Sequence, residues 1–242
     1  MRQVLFLGSK AIGYDCLQVL LQHPQVQVVG VLSNDNTRFD TAKSVKQLAA
    51  AHNIPILTSL ADLPEQIDIL YSVQYHEILK PAHINKAKLA LNLHMAPLPE
   101  YRGSNQFSLA IIDNKKEFGT SIHKMDALID HGDIAFEKRF AIPDQCWISD
   151  LYELTHQASL QLFEESLEKI LADDIEFIPQ AVLENERGTS LHFRKEIAQL
   201  KCIDLSWPQD KIERHIRATS MPGFEPPYCI INNQKVYFST SY

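Results

Sequence analysis

Short runs of β-branched and aromatic residues alternate along this chain with stretches whose apolar residues recur at helical spacing, and that alternation restricts the fold more than any other feature. "QVLFLG" is closed by a glycine and followed by "SKAIGYDCLQVLLQH", which predicts strand, tight turn and helix. "VQVVGVLSN" is the next expected strand and "TAKSVKQLAAAHN" the next helix, after which "IPILTS", "IDILYSV" and "KLALNLH" read as further short strands. Strands apolar on both faces must be covered on both sides, which implies an α/β fold: a Rossmann-like, mostly parallel twisted sheet with helices on both faces. Beyond Gly103, "NQFSLAIIDN" predicts a helix, "EFGTSIHKM" and "GDIAFEKRFAI" two extended segments joined around "DALIDHGD", and "SDLYELTHQASLQLFEESLEKILADD" a long amphipathic helix that Ser149 and Asp150 can cap. "CIINNQKVYF" predicts a hairpin turning at Asn232-Asn233. The expected division is a core over residues 1–180 and a small C-terminal region, 181–242, carrying the hairpin.

With 242 residues, 45% of them hydrophobic, the chain can bury a core of its own. A formal charge of −7 opposes general nucleic-acid binding, because neutralising phosphates requires a basic surface. The four cysteines, at 16, 146, 202 and 229, have no paired spacing and suit a reducing compartment as ordinary thiols. No run of about 18 apolar residues and no signal-like start is present, so the expectation is a cytoplasmic protein without membrane contact.

In "GSKAIG" the glycines are five apart, so the G-x-G-x-x-G dinucleotide turn is absent, and no Lys-Ser/Thr pair follows to make a phosphate loop. Two readings remain: an ordinary strand-to-helix turn, or an anion site at the helix start with Lys10 beside it. In "LALNLHMAPLPEYRG", strand alternation sends Leu91 and Leu93 one way and Asn92 and His94 the other, the latter pair about 7 Å apart on one face. An asparagine amide can donate to a developing oxyanion and a neutral histidine can take a proton, yet a polar strand end satisfied by backbone groups fits equally. "MDALIDHGD" crowds Asp126, Asp130 and Asp133 with His131 into one turn; a carboxylate there could orient a histidine, or the turn could simply be solvated. Its spacing matches no metal-binding loop.

Together "LNLHMAPLPEYRG", "DALIDHGD" and "RATSMPGF" resemble the motifs of the folate-dependent formyltransferases, a family that includes the methionyl-tRNA, glycinamide ribonucleotide and nucleotide-sugar enzymes. The family pattern of asparagine, histidine two residues on, a Pro and Gly loop, and aspartate before Gly-Asp falls here on Asn92, His94, Pro97 to Gly103, and Asp130 before Gly132-Asp133. The resemblance implies N10-formyltetrahydrofolate as formyl donor, without a metal, and an acceptor amine attacking the formyl carbon. Asn92 and protonated His94 would donate to the formyl oxygen, His94 would accept the amine proton and Asp130 would fix its ring. "YSVQYHEILKP" resembles the loop that wraps the pterin, which implies cofactor contacts by Gln74, Tyr75, Ile78 and Leu79, with Asp126 and Leu128 from the acidic turn.

Within the family, "RATSMPGFEPPYCIINNQKVYF" and "MAPLPEYRGSNQFSLAIIDN" resemble the nucleotide-sugar branch acting on dTDP-4-amino-4,6-dideoxyhexoses. That implies a small-molecule nucleotide sugar as partner, bound by Ser9, Lys10, Arg102, Asn105, Gln106, Arg217, Phe224 and Tyr228, a homodimer, and a formamido sugar for O-antigen as product. Arg217 and Lys10 could pair with the diphosphate and Phe224 or Tyr228 stack on the base; hairpin packing is the other reading of the two rings. A tRNA-acting member is expected to carry a further basic domain of about 100 residues, whereas some thirty-odd residues follow position 205. Glycinamide ribonucleotide or a UDP-amino sugar as acceptor, and a nucleotide-sugar-binding module without turnover, are the competing expectations.

Overall fold

The computed structural model describes residues 1–35 and 43–239. Along the chain β1 (Arg2–Gly8) leads into α1 (Lys10–Gln22), β2 (Val26–Leu32) into α2 (Val45–Ala51), and β3 (Ile67–Val73) through the single turn α3 (Pro81–Ile84) into β4 (Ala87–His94). The two-residue β5 (Arg102–Gly103) precedes α4 (Gln106–Ile112); β6 (Glu117–Lys124), β7 (Ile134–Ala141) and α5 (Ile148–Leu171) follow. Then come α6 (Glu184–Arg187), β8 (Leu191–His192), α7 (Ile197–Leu200), α8 (Gln209–Thr219), and the hairpin of β9 (Tyr228–Ile231) and β10 (Gln234–Tyr237).

Six strands form one sheet in the order β2-β1-β3-β4-β6-β7, parallel from β2 to β4 and antiparallel from β4 to β7. The mostly parallel α/β sheet expected from the sequence is therefore present, with an antiparallel edge where the short connection from β6 to β7 leaves no room for a crossover helix. Alternation feeds both faces of β1: Val4 and Phe6 join a cluster with Cys16, Leu17 and Phe163 from α1 and α5, while Leu5 and Leu7 join Leu60, Leu63 and Leu79 on the other side. The faces are covered unequally. Long helices pack on the first, whereas a 3-10 turn at Leu60–Asp62, the short α3 and connecting segments pack on the second.

The local devices are mostly those expected. Gly13 lies inside α1, where a Cβ would come within 3.1 Å of the Gly8 carbonyl carbon, so the glycine pair of "GSKAIG" lets α1 pack tightly on the end of β1. Asn232 and Asn233 both have positive φ and form the two-residue turn between β9 and β10. Asp150 accepts from the Trp147 N–H at 3.1 Å and so caps α5, but Ser149 lies within the first turn and has no capping role. "IPILTS" does not form a strand. It makes one isolated parallel bridge, Val31 to Ile56, because Pro55 has no N–H to extend a ladder and Ser59 with Asp62 caps a 3-10 turn immediately afterwards. The helix expected from Thr41 begins at Val45 with Ser44 as its cap; Thr41 and Ala42 lie outside the described residues.

The four cysteines are free thiols. Among the described residues no helix is long and apolar enough to cross a membrane. The residues after 180 are stitched to the core: β8 pairs with β5, and Ala218 of α8 joins Ala110, Phe118 and Ile148.

Phe163 is 1% exposed and its ring centroid lies 4.8 Å from that of Tyr71. Phe163→Ala is expected to destabilise the protein by about 3–5 kcal/mol, read as a lowered urea midpoint at unchanged m-value.

Candidate active site

On β4, Leu91 and Leu93 enter the cluster on the α5 side, while Asn92 and His94 project from the opposite face. The antiparallel register with β6 sets Asn92 opposite His123 and His94 opposite Ser121, so a second histidine joins the same face. Asp130 arrives from the connection between β6 and β7, in a left-handed conformation with φ of 46°. Gly132 allows that approach: a Cβ there would stand 1.9 Å from the Lys124 carbonyl oxygen. Gln180 Nε2 donates to the carbonyls of Asp130 and Gly132, both at 2.9 Å, and clamps the connection from outside.

The Asp130 carboxylate is the meeting point. Its Oδ2 accepts from the Gly103 N–H at 2.9 Å and lies 3.5 Å from His94 Nδ1; its Oδ1 lies 3.4 Å from both His123 Nε2 and Asn92 Nδ2. Burial by itself pushes this carboxyl up, but the positive charge that His94 and His123 carry when protonated, together with the Gly103 N–H, outweighs it and holds Asp130 well below the usual carboxylate range. Backbone carbonyls identify the ring hydrogens, since a carbonyl only accepts. His94 Nε2–H donates to Tyr101 O at 2.7 Å, which leaves Nδ1 facing the carboxylate. His123 Nδ1–H donates to Lys124 O at 2.9 Å, so its Nε2 accepts from Asn92 Nδ2 at 3.1 Å. The Asn92 amide thus directs its N–H groups to His123 and, over a longer 3.4 Å contact, to Asp130. The longer contact is the weaker and the one a better acceptor would replace.

The remaining expected site residues divide into groups. Lys10 and Gln74, both with positive φ, meet at the ends of β1 and β3, where Lys10 Nζ donates to Gln74 Oε1 at 2.7 Å. Burial first, and then the charge of Arg194, lower the pKa of Lys10. Ser9 is buried, and its hydroxyl accepts from the Asn34 N–H at 3.4 Å. Tyr75 and Met125 each pack against the core cluster on the second face, and the Tyr75 hydroxyl donates to Glu77. Ile78 and Leu128 are 69% and 62% exposed, whereas Leu79 is buried in the core and offers little surface to a ligand. Asp126 accepts from the Leu128 N–H and from His131. Arg102 pairs through β5 with β8, Asn105 donates to Phe193 O at 2.9 Å, and Gln106 opens α4.

Two residues expected at the acceptor have other partners. Tyr228 is 8% exposed, with its hydroxyl donating to Ala198 O, Lys235 4.0 Å over its ring and the Tyr237 ring 6.0 Å away, which is the hairpin packing that was its other reading. Arg217 lines a separate cavity with Ile111, Lys115, Cys146 and Arg214 rather than joining Lys10. Phe224 is 49% exposed. Two residues outside the expected set stand out. His123 was signalled by the alternation of "TSIHK", which sets Ser121 and His123 on one face as Asn92 and His94 are on theirs; Arg194 approaches Lys10 only through the fold and had no local signal.

This arrangement is an ionised carboxylate between two imidazoles beside an asparagine amide at the end of the last parallel strand. The model of the formyl transferase family matches residues 3–167, and the chain belongs to that family. It is 27% identical over 194 residues to the methionyl-tRNA formyltransferase of Streptococcus thermophilus, covering 74% of this chain and 62% of that protein. It is 29% identical over 175 residues to the GDP-perosamine N-formyltransferase of Brucella melitensis, covering 72% and 64%. The chain therefore spans less than two thirds of the length of these relatives. Among solved structures, the N-formyltransferase of Helicobacter canadensis, in complex with folinic acid and dTDP-3-aminofucose, superposes with a TM-score of 0.81 at 25% identity, over 98% of this chain and 86% of that one.

Because the folded pKa of Asp130 lies below its unfolded value of about 3.9, the stability contributed by its charge is fully present above pH about 4 and is lost as the pH falls further toward the folded value. Asp130→Asn should accordingly be less stable than wild type near neutrality, and the gap should narrow below pH about 4. Urea midpoints measured across pH 2.5 to 7 check this; a pH-independent gap would contradict the assignment.

Proposed function

We propose that this chain transfers the formyl group of N10-formyltetrahydrofolate to the amine of a nucleotide-linked amino sugar, with dTDP-4-amino-4,6-dideoxyglucose as the acceptor. The observation that carries the reading is the pair formed by His94 and Asp130. One ring nitrogen is committed to Tyr101 O, and the other stands beside an ionised carboxylate. His94 Nδ1 takes a proton from the attacking amine, and Asp130 stabilises the imidazolium so formed. Asn92 exchanges its long contact to Asp130 for the formyl oxygen as negative charge builds there. As the bond from the formyl carbon to the donor nitrogen breaks, the proton on His94 passes to that nitrogen. The loops at 74–80 and 125–130 present exposed apolar side chains, Ile78 and Leu128, which fit a planar heteroaromatic ring, while Gln74 and Asp126 offer polar edges. The residues present thus suit a folate.

For the acceptor, Lys10 and Arg194 are two cations close enough to disfavour one another, and a diphosphate between them would relieve that repulsion. The dTDP-sugar bound by the Helicobacter protein supports this reading, and the perosamine enzyme supports a GDP-sugar as the nearest variant. Formylation of methionyl-tRNA is the second reading, favoured by the Streptococcus relative and opposed by a net charge of −7. The hairpin exposes Ile230, Ile231, Val236 and Tyr237, which suits a homodimer contact. The proposed product is a formamido sugar made in the cytoplasm for O-antigen or a similar surface glycan.

The test is release of tetrahydrofolate from N10-formyltetrahydrofolate with a panel of acceptors: dTDP-linked 3- and 4-amino sugars, GDP-perosamine, a UDP-amino sugar, glycinamide ribonucleotide and methionyl-tRNA. The 4-amino dTDP-sugar should turn over fastest. Faster turnover of methionyl-tRNA would replace the proposal with the second reading. His94→Asn should lower kcat about 10²- to 10⁴-fold and Asn92→Ala about 10²- to 10³-fold. Undiminished turnover by folded His94→Asn would remove the histidine from the mechanism.

A further inference from the structure

The segment 97–103 touches the cluster at Asp130 through main-chain groups. Tyr101 O takes the His94 Nε2 hydrogen at 2.7 Å, and Gly103 N–H reaches Asp130 Oδ2 at 2.9 Å. The position of this segment therefore decides which ring nitrogen of His94 is left as a base and how well the carboxylate is solvated by the protein. Neither group can be replaced by mutation of its own side chain. Whatever anchors the segment governs the chemistry at a distance.

The anchors form a circuit that leaves the segment and returns to it. Glu100 pairs with Arg139 Nη2 at 2.9 Å; the same nitrogen reaches Glu137 Oε1 at 2.9 Å; Glu137 Oε2 takes Arg187 Nη1 at 3.0 Å; and Arg187 Nη1 donates back to Leu98 O at 3.4 Å. Glu137 and Arg139 are two apart on β7 and so project from one face, while Lys138 points the other way to Glu165 of α5. The side chains are 15% exposed at Glu100, 17% at Glu137, 25% at Arg139 and 26% at Arg187, so these pairs are much less screened than ordinary surface ones. A third carboxylate, the more exposed Glu117, meets Arg139 Nη1 at 3.3 Å, so three anions face the two cations. With Nη2 on Glu100 and Glu137 and Nη1 on Glu117, both prongs of the planar guanidinium are engaged, which a lysine cannot reproduce. Ser190 adds a 2.5 Å hydrogen bond to Glu100 O, and Tyr101 fills the space beneath, its ring 5.7 Å from that of Phe118.

We propose that Arg139, Glu137 and Arg187 are positioning residues of the transfer reaction, acting through the 97–103 segment to hold His94 with its hydrogen on Nε2 and Nδ1 free. The proposal rests on the function given above, and its primary readout is independent of turnover. Nitrogen-15 chemical shifts of the His94 ring in the wild type should report a single Nε2–H tautomer. Arg139→Gln should mix the tautomers. In the formyl-transfer assay the same variant should lose about 10- to 100-fold in kcat, with KM for both substrates within about threefold, and Arg139→Lys should recover only part of the loss because it lacks the fork. Glu100→Gln/Arg139→Gln, which removes both charges and leaves no unpaired carboxylate at 100, guards against simple misfolding and should show the same tautomer mixing. Lys138→Met, on the other face of β7, should leave ring shifts and kcat unchanged. A single unaltered tautomer with unaltered kcat in folded Arg139→Gln overturns the proposal, as does a fall in melting temperature unaccompanied by any change at His94. If wild-type protein formylates no acceptor, the assigned reaction fails while the ring shifts still decide the positioning role.

Discussion

An ionised carboxylate in a mostly enclosed place, Asp130 between His94 and His123, is the interaction on which the rest of the structure depends. Its isolation from water is costly, and one backbone N–H, an asparagine amide and two imidazoles, which offset that cost when they are protonated, converge on it from three separate stretches of chain. β4 supplies the amide and one ring, β6 the other ring, and the segment after β4 the N–H. The glycine at 132 and the amide of Gln180 are present because the acid must be brought back over the end of β6.

The position of the cluster follows from sheet topology. β4 is the last parallel strand, and the change to antiparallel pairing at β6 aligns two polar-faced strands side by side with matched register. A parallel neighbour would have required a crossover helix over that face, covering Asn92 and His94. The antiparallel edge leaves that face free of a crossover helix, and the ends of β1 and β3 bring Lys10 and Gln74 together.

Much of this was legible in the residues. Alternation in "LALNLH" fixes which side Asn92 and His94 take, and the double-faced apolar strands fix a mostly parallel sheet. The Asn-Asn pair specifies its own hairpin, because both residues tolerate positive φ. Misreadings came where a local pattern competes with its surroundings. "IPILTS" has strand composition, but its proline and the serine cap after it end the pairing at one bridge. Tyr228 had two readings, base stacking and hairpin packing, and the hairpin register brings Lys235 and Tyr237 against it. Arg194 and the circuit through Arg139 were invisible because they depend on contacts between residues about 40 to 180 apart in the chain, which no periodicity encodes.

The unequal dressing of the sheet has an evolutionary consequence. Close-packed aliphatic interior lies against the long helices, whereas the opposite side is finished by short turns and irregular connections that meet the outside world. Outside Leu60, Leu63 and Leu79, whose side chains fill the second cluster, lengthening or rewriting those connections disturbs few interior neighbours, so such a scaffold can exchange one small-molecule preference for another at little cost in folding free energy.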